Sequence, residues 1–532
     1  MDWSQYPIPP MRLETRFGDR VVPLFESRPS DLWTMIADAA ARNPNGEALI
    51  CGDQRMTWRE VVHASAQLAT GFKEVGLQPG DRVALLLGNR LEFVLTMFGA
   101  AHLGLITVML STRQQKPEIA YVLTDCGAKL IIHEDYMADR IPDPGDAPEL
   151  LHRVSMGAPA GSLHFQDLIA TEPAQTPAKV SEEDTAMILY TSGTTGRPKG
   201  AMLSHCNIIH SSMIYEAFMS LTEKDRSIAA VPLSHVTGVV ANVTTMARCA
   251  GALIVIPDFK AGEYLKVLSR ERATQSVMVP AMYNLCLLQS DFDSYNLSSW
   301  RIGGFGGAPM PVATIERLAK KIPGLQLINV YGSTETTSPS TAMPPTLTAS
   351  HIDSVGLPCP GVHIVIMDPD GRELPRGEVG EIWIQSGSVI KGYWNNPRAT
   401  AESFTGGYWH SGDLGSIDEN NFVRVLDRQK DMINRGGLKI FSAEVESVLA
   451  SHPAVVESAV VAQPCPVLGE RVHAVVVTRV DTDPPTLRAW CAERLSDYKV
   501  PETITLSADP LPRNANGKIV KKLIRDALVA RF

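Results

Sequence analysis

No two cysteines in this chain form a Cys-x-x-Cys pair. The eight present (Cys51, Cys126, Cys206, Cys249, Cys286, Cys359, Cys465 and Cys491) are scattered along its length. That spacing offers neither a zinc site nor a disulfide framework and suits a reducing, cytoplasmic compartment. A secretory leader is not read either: the opening Met-Asp-Trp-Ser-Gln-Tyr-Pro-Ile-Pro-Pro has no basic stretch running into an apolar core. Phe93 to Leu110 is almost wholly apolar, but Gly99, His102 and Gly104 interrupt it. The run therefore predicts a buried helix leading into a core strand, with no membrane span. There is no excess of basic charge. The formal net charge is −9, which argues against nucleic acid as a partner while leaving a nucleotide substrate compatible. Internal repeats, low-complexity segments and a Walker loop are also missing.

What is present is an ordinary enzyme composition, 44% hydrophobic and 20% charged, in a chain of 532 residues. That length calls for two or more domains. Asp81 to Leu87 reads as a buried strand followed by a helix from about Leu91. Further short apolar runs at 128–133, 185–190, 227–233, 252–256 and 275–279 are separated by helix-length segments. Strands alternating with helices predict an α/β fold with a largely parallel sheet. From about Val355 the texture changes: Gly and Pro become frequent, and Val362–Met367 and Val379–Ile384 alternate like strands of a β-rich subdomain. A second boundary is expected at Asp427-Arg-Gln-Lys-Asp-Met-Ile. Beyond it, helix Ala443 to Ala450, strands Val455 to Ala462 and Val472 to Thr478, and helix Leu487 to Leu495 predict a compact α+β unit. The basic cluster Lys518, Lys521, Lys522, Arg525 and Arg531 reads as a solvated helix end.

The stretch Tyr190-Thr-Ser-Gly-Thr-Thr-Gly-Arg-Pro-Lys-Gly200 carries the most chemistry. Glycine amides approach phosphate closely, hydroxyls donate to its oxygens, and Lys199 adds a mobile positive charge. A flexible linker has similar composition, but the loop directly follows the apolar run Ala186 to Leu189, which reads as a strand. Asn329-Val-Tyr-Gly-Ser-Thr-Glu-Thr-Thr337 follows the apolar strand Leu325 to Ile328, at the strand end where α/β folds bind ligands. Tyr331 offers a flat surface for a base. Glu335 is either a hard oxygen ligand for Mg²⁺ or a solvated carboxylate in a polar turn. Gly303-Gly-Phe-Gly-Gly-Ala-Pro309 is a glycine-rich turn that lies flat against a ligand or is simply tight. Asp413 sits in Tyr408-Trp-His-Ser-Gly-Asp-Leu414, and a carboxylate there suits a ribose diol, with Arg428 fifteen positions on. His235, in Pro232-Leu-Ser-His-Val-Thr-Gly238, is a core or turn residue as readily as a catalytic one. Pro512-Arg-Asn-Ala-Asn-Gly-Lys518 alone is a turn with one lysine.

In this order and together, from about Leu32 to Arg525, these motifs resemble the adenylate-forming superfamily. Its members include acyl-CoA synthetases, nonribosomal-peptide adenylation domains and firefly luciferase, and the free-standing acyl-CoA and coumarate–CoA ligases are the most similar. The resemblance implies a large N-terminal domain of layered α/β subdomains plus a β-rich subdomain (1–429) and a small mobile α+β C-terminal domain (430–532). It implies that Thr191, Ser192, Gly193, Thr194, Thr195, Gly196 and Lys199 hold the β- and γ-phosphates of ATP. Gly307, Ala308 and Pro309 with Tyr331 would flank adenine, with Gly332 beside them. Thr334 would meet the α-phosphate, Glu335 Mg²⁺, and Asp413 with Arg428 the ribose. Lys518 would reach the reacting carboxylate and α-phosphate. Lys430 takes the hinge position, Gly436 and Gly437 border the pantetheine arm of CoA, and His235 gates the acyl pocket. Ser442, where many synthetases have proline, Lys439 and Asn434 depart from the common pattern.

The implied reaction is ATP-dependent carboxylate–CoA ligation, with an amine or carrier protein as the alternative acyl acceptor. Attack of a carboxylate on a polyanion needs charge neutralisation and alignment more than a strong base. The implied acyl pocket, walled by His235–Val240, Met282–Leu288, Gly303–Gly307 and Ser338–Met343, holds no clear Arg or Lys for a second carboxylate. A monocarboxylic acid (aryl, alicyclic or medium-chain) is therefore expected. The protein would act as a monomer or homodimer with ATP, CoA and a small acid.

Overall fold

The computed structural model describes residues 2–157, 162–169, 172–191, 197–308, 310–513 and 518–529. The chain divides into two compact units. One comprises Met1–Ile364, Ile384–Trp409 and Asn420–Val423; the other comprises Val365–Trp383, His410–Glu419 and Arg424–Phe532. The expected class, mixed α/β with a large N-terminal part and a small C-terminal part, is what the chain has.

The first unit is built on two sheets, each buried between helices. Among the described residues, one sheet has seven strands in the order Lys199–Ser204, Thr185–Thr191, Ile106–Met109, Arg82–Leu86, Ala128–His133, His152–Ser155 and Leu163–His164. All its pairings are parallel except that of Lys199–Ser204, which turns back antiparallel on Thr185–Thr191. The second sheet has a parallel core in which Ala252–Val255, Arg226–Ala229, Gln275–Met278, Ile302–Phe305 and Gln326–Tyr331 lie side by side. They include the short apolar runs of the sequence, as burial on both faces predicts, with Ser227, Gln275 and Ser276 as buried polar exceptions.

The run Phe93 to Leu110 resolves into helix Leu91–Leu103 and strand Ile106–Met109. The helix ends at Gly104, whose left-handed φ of 72° lets the chain turn directly into the strand. Gly99 has a different purpose. A Cβ there would lie 2.8 Å from the Ser65 carbonyl oxygen, so only glycine lets helix Trp58–Glu74 pack this closely. No helix among the described residues is long and apolar enough to cross a membrane.

The segment 303–309 departs from its expected form as one glycine-rich turn. Gly303 and Gly304 lie inside strand Ile302–Phe305, and the chain bends only at Gly307 and Ala308. Parallel neighbours on both sides supply the ladder bonds that outweigh glycine's weak strand preference.

The second unit contains a sheet ordered Leu438–Ile440, Ile433–Arg435, Gly469–Thr478 and Val455–Cys465, with Thr503–Ser507 pairing parallel to Gly469–Thr478. Helices Ser442–Ala450, Pro484–Ala492 and Lys521–Val529 accompany it. Its apolar centre includes Ile433, Val445, Leu449, Val460, Val472, Val476 and Leu487. The C-terminal basic cluster is only partly a solvated helix end. Lys521 pairs with Glu446 at 2.7 Å and Arg525 with Asp431 at 2.8 Å, both with largely covered side chains, while Lys522 stays exposed.

Candidate active site

The sequence-derived residues fall into two groups, one on each unit. In the first unit, Thr191 ends its strand and Tyr331 ends another, so both stand where parallel sheets present ligands. Of the phosphate loop, Ser192, Gly193, Thr194, Thr195 and Gly196 lie outside the described residues, as does Pro309. The flanks are described. The Thr191 hydroxyl donates to Oε1 of Glu335 at 3.1 Å. The Tyr393 phenol donates to the same oxygen, also at 3.1 Å, and the Lys199 ammonium lies 4.9 Å from the centre of the Tyr393 ring. Thr191 and Lys199 thus meet Glu335, 144 positions after Thr191, around one tyrosine.

The turn after Tyr331 is stapled. The Ser333 N–H donates to Thr336 Oγ1 at 3.0 Å and the Thr336 N–H returns to Ser333 Oγ at 3.3 Å, bracketing Thr334 and Glu335. Thr337 and Ser338 follow with φ of 50° and 32°, uncommon for residues with a Cβ, and such strain clusters at ligand sites. Ser338 Oγ meets the buried Tyr215 hydroxyl at 2.8 Å. Gly332, Gly307 and Ala308 are exposed.

His235 is partly buried and its N–H donates to the Pro232 carbonyl at 3.1 Å, so it closes a turn. The turn opens into a π-helix over Thr237–Thr244, which packs against strands Arg226–Ala229 and Gln275–Met278. Two side chains support its wide ladder: Asn242 Nδ2 donates to the Thr237 carbonyl and Thr245 Oγ1 to that of Val240. π-Helical segments concentrate at functional sites.

In the second unit Arg428 Nε pairs with Asp413 Oδ1 at 2.7 Å. The Gly412 and Gln429 backbones fix this pairing, since the Gln429 N–H donates to the Gly412 carbonyl at 2.8 Å. Lys430 lies in the turn after Gln429, with its carbonyl accepting from Arg525 Nη1. Asp427, just before this pair, is buried and accepts from both the N–H and the hydroxyl of Ser442. Lys521 Nζ donates to that hydroxyl at 2.6 Å. Gly436 and Gly437 form the two-residue turn between Ile433–Arg435 and Leu438–Ile440, with φ of 59° and 92°. Both central residues of such a hairpin turn need positive φ. Lys518 is exposed and directly succeeds 514–517, which lie outside the described residues.

Two participants escaped the sequence reading. Tyr393 lies in Lys391-Gly-Tyr-Trp-Asn, where only a glycine–aromatic texture marked it. Ser442 departs from the common pattern in the sequence, and only the fold brings it against Asp427.

The chain matches the AMP-binding enzyme family over residues 36–394 and the AMP-binding enzyme C-terminal domain over 444–518. It is 36% identical to a feruloyl-CoA synthase of Amycolatopsis over 492 residues, covering 91% of this chain and 96% of that protein. An anthranilate CoA ligase in complex with anthranoyl-AMP superposes with a TM-score of 0.88 at 27% identity, covering 95% of this chain and 99% of the other. The o-succinylbenzoate coenzyme A synthetase of Bacillus subtilis, in complex with ATP and magnesium, gives 0.83 at 30% identity over 93% and 99%. With both parts matched and relatives aligned over nearly their full lengths, this chain belongs to the AMP-binding enzyme family, the adenylate-forming enzymes that include the acyl-CoA synthetases.

Proposed function

We propose that this protein is an ATP-dependent carboxylate–CoA ligase. It joins a monocarboxylic acid to AMP with release of pyrophosphate, then passes the acyl group to CoA with release of AMP. The observation that carries the reading is the meeting of Thr191, Lys199 and Glu335 around Tyr393 at the ends of parallel strands.

In the first half-reaction Thr191 through Lys199 holds the β- and γ-phosphates, Thr334 meets the α-phosphate, and Tyr331 with Gly307, Ala308 and Pro309 takes the adenine. Asp413 accepts from the ribose diol, with Arg428 orienting the carboxylate. A divalent cation fits Glu335. Its Oε1 is occupied by two neutral donors, and among the described residues none donates to Oε2. Mg²⁺ commonly takes one or two carboxylates together with substrate phosphates. Bound there, the cation would neutralise phosphate charge during displacement. Lys518 contributes positive charge where the acid attacks phosphorus, the contribution that matters most in phosphoryl-type transfer.

The thiol must later approach the acyl carbon from the side Lys518 occupied, so one domain cannot present both faces at once. We place the pivot at Lys430, with 1–429 and 430–532 as the moving bodies, and Gly436–Gly437 beside the pantetheine arm. His235 and the π-helix wall the acyl pocket. Relatives named for aromatic acids support an aryl acid and those named for fatty acids a medium-chain one, with alicyclic acids also in the class.

Purified protein with ATP, Mg²⁺ and a panel of acids tests the reading. Acid-dependent ATP–pyrophosphate exchange and CoA-dependent AMP release are both expected. Exchange without CoA-dependent release would move the acceptor to an amine or carrier protein, and no exchange with any acid would sink the reading.

A further inference from the structure

Resting on that reading, we propose that Tyr393 is a positioning residue that sets two opposite charges at once. Its O–H holds Oε1 of Glu335 so that Oε2 faces the divalent cation, and its ring face carries the Lys199 ammonium that meets the phosphates. Neither resemblance nor motif assigns it a role. The geometry does.

Tyr393 is 5% exposed, and its neighbours fix it from several sides. Its N–H donates to Thr400 Oγ1 at 3.0 Å. The same loop grips both sheet-end segments of the site. The Ile390 N–H donates to the Glu335 carbonyl at 3.0 Å, the Trp394 N–H to the Gly200 carbonyl at 2.7 Å, and the Met202 N–H to the Gly392 carbonyl at 3.1 Å. Tyr393 also bridges to Ala201 in antiparallel register.

A carboxylate has two oxygens, and hydrogen bonds decide which one is left for a metal. Here Thr191 and Tyr393 converge on Oε1. Partners of this kind, which orient a metal-binding carboxylate without touching the metal, typically account for 10–100-fold in metal affinity. The ring contributes separately. A lysine ammonium within about 6 Å of an aromatic centre is attracted to its face, and Lys199 at 4.9 Å satisfies this. One side chain therefore ties the phosphate-binding lysine to the metal-binding carboxylate.

The two contributions separate by substitution. Tyr393→Phe keeps the ring and loses the O–H; Tyr393→Leu loses both. The full-length protein is titrated with metal-free ATP by calorimetry, and its ATP complex with Mn²⁺ by electron paramagnetic resonance. Tyr393→Phe should weaken Mn²⁺ binding roughly 10–100-fold while leaving metal-free ATP within about twofold. Tyr393→Leu should add a loss of about 2–5-fold for metal-free ATP. Thr191→Val removes the other Oε1 donor and should reproduce the Mn²⁺ defect if the tyrosine variants fold poorly.

Wild-type Mn²⁺ affinity in Tyr393→Phe and in Thr191→Val overturns the proposal and leaves the ligase reading intact. Equal weakening of metal-free ATP and Mn²⁺ in Tyr393→Phe also overturns it, because that is loss of packing. Failure of the wild-type protein to bind ATP at all would remove the ligase reading and the proposal together.

Discussion

Replacing Ser442 by alanine tests whether the Asp427 cluster anchors the second unit. The Ser442 hydroxyl is fully buried, donates to the Asp427 carboxylate at 2.8 Å and accepts from Lys521 Nζ at 2.6 Å. Each is a hydrogen bond to a charged group, a class worth about 1.5–3 kcal/mol. Neither ion is stranded by the change. Asp427 keeps the N–H groups of Ser442 and Arg428, and Lys521 keeps Glu446 at 2.7 Å. The lower end of the range is therefore appropriate for both bonds, a total of about 3 kcal/mol. Ser442→Pro should cost more. Ser442 opens helix Ser442–Ala450, where proline is tolerated, but the N–H to Asp427 is lost as well. Hydrogen–deuterium exchange on peptides of that helix reads the effect, and about 3 kcal/mol corresponds to roughly 10²-fold faster exchange through local opening. Lys522→Ala serves as the control: its i,i+4 pair with Asp526 is exposed and should not matter measurably. Unchanged exchange in Ser442→Ala would refute the anchoring argument.

Lys518→Ala should cost on the order of 10²–10³ in adenylate formation while sparing CoA transfer to supplied acyl-adenylate. Normal pyrophosphate release with lost thioester formation would reverse that assignment. Lys430→Pro fixes φ near −65° and should retain pyrophosphate release but impair acyl-CoA formation; unimpaired turnover would move the hinge elsewhere. His473 is buried, and burial, then Arg471, lowers its imidazole to about 4, so the unfolded chain binds its proton first as pH falls below 6.5. Stability is therefore lost from pH 6.5 down to about 4. The loss is roughly 2 kcal/mol by pH 5, and urea unfolding of His473→Gln should lack that part of the pH dependence.

Much of the fold was legible because its strands are buried on both faces, which forces short apolar runs between helices. Ala128–His133 and Ala252–Val255 stand where the runs stand. The C-terminal helices and strands likewise followed from their own periodicity. Thr503–Ser507 was missed. It is a short strand that pairs parallel with Gly469–Thr478, and parallel pairing leaves no turn in the sequence to announce it. The site was legible wherever chemistry is concentrated in consecutive residues, as at Tyr331–Glu335. It was illegible where function rests on distant pairing. Nothing near Tyr393 in sequence reveals that Glu335 accepts from it, and nothing near Lys521 points to Ser442, 79 positions earlier.

The same distances have a consequence in time. Arg20, in the hairpin Met11–Arg16 and Arg20–Phe25, has a buried guanidinium that donates to the Ile390 carbonyl, 370 positions later. Trp3 likewise donates from its indole to the Pro358 carbonyl, 355 positions later. Chains emerge from the ribosome at about 5–20 residues per second, so the hairpin waits roughly 20–70 s for these partners. During that interval Val22, Leu24 and Phe25, all fully buried in the finished fold, have no finished core to cover them. The hairpin should therefore be a client of ribosome-associated chaperones until residue 390 has been made. Crosslinking on chains stalled before and after that length would show it, and equal capture at both lengths would contradict it.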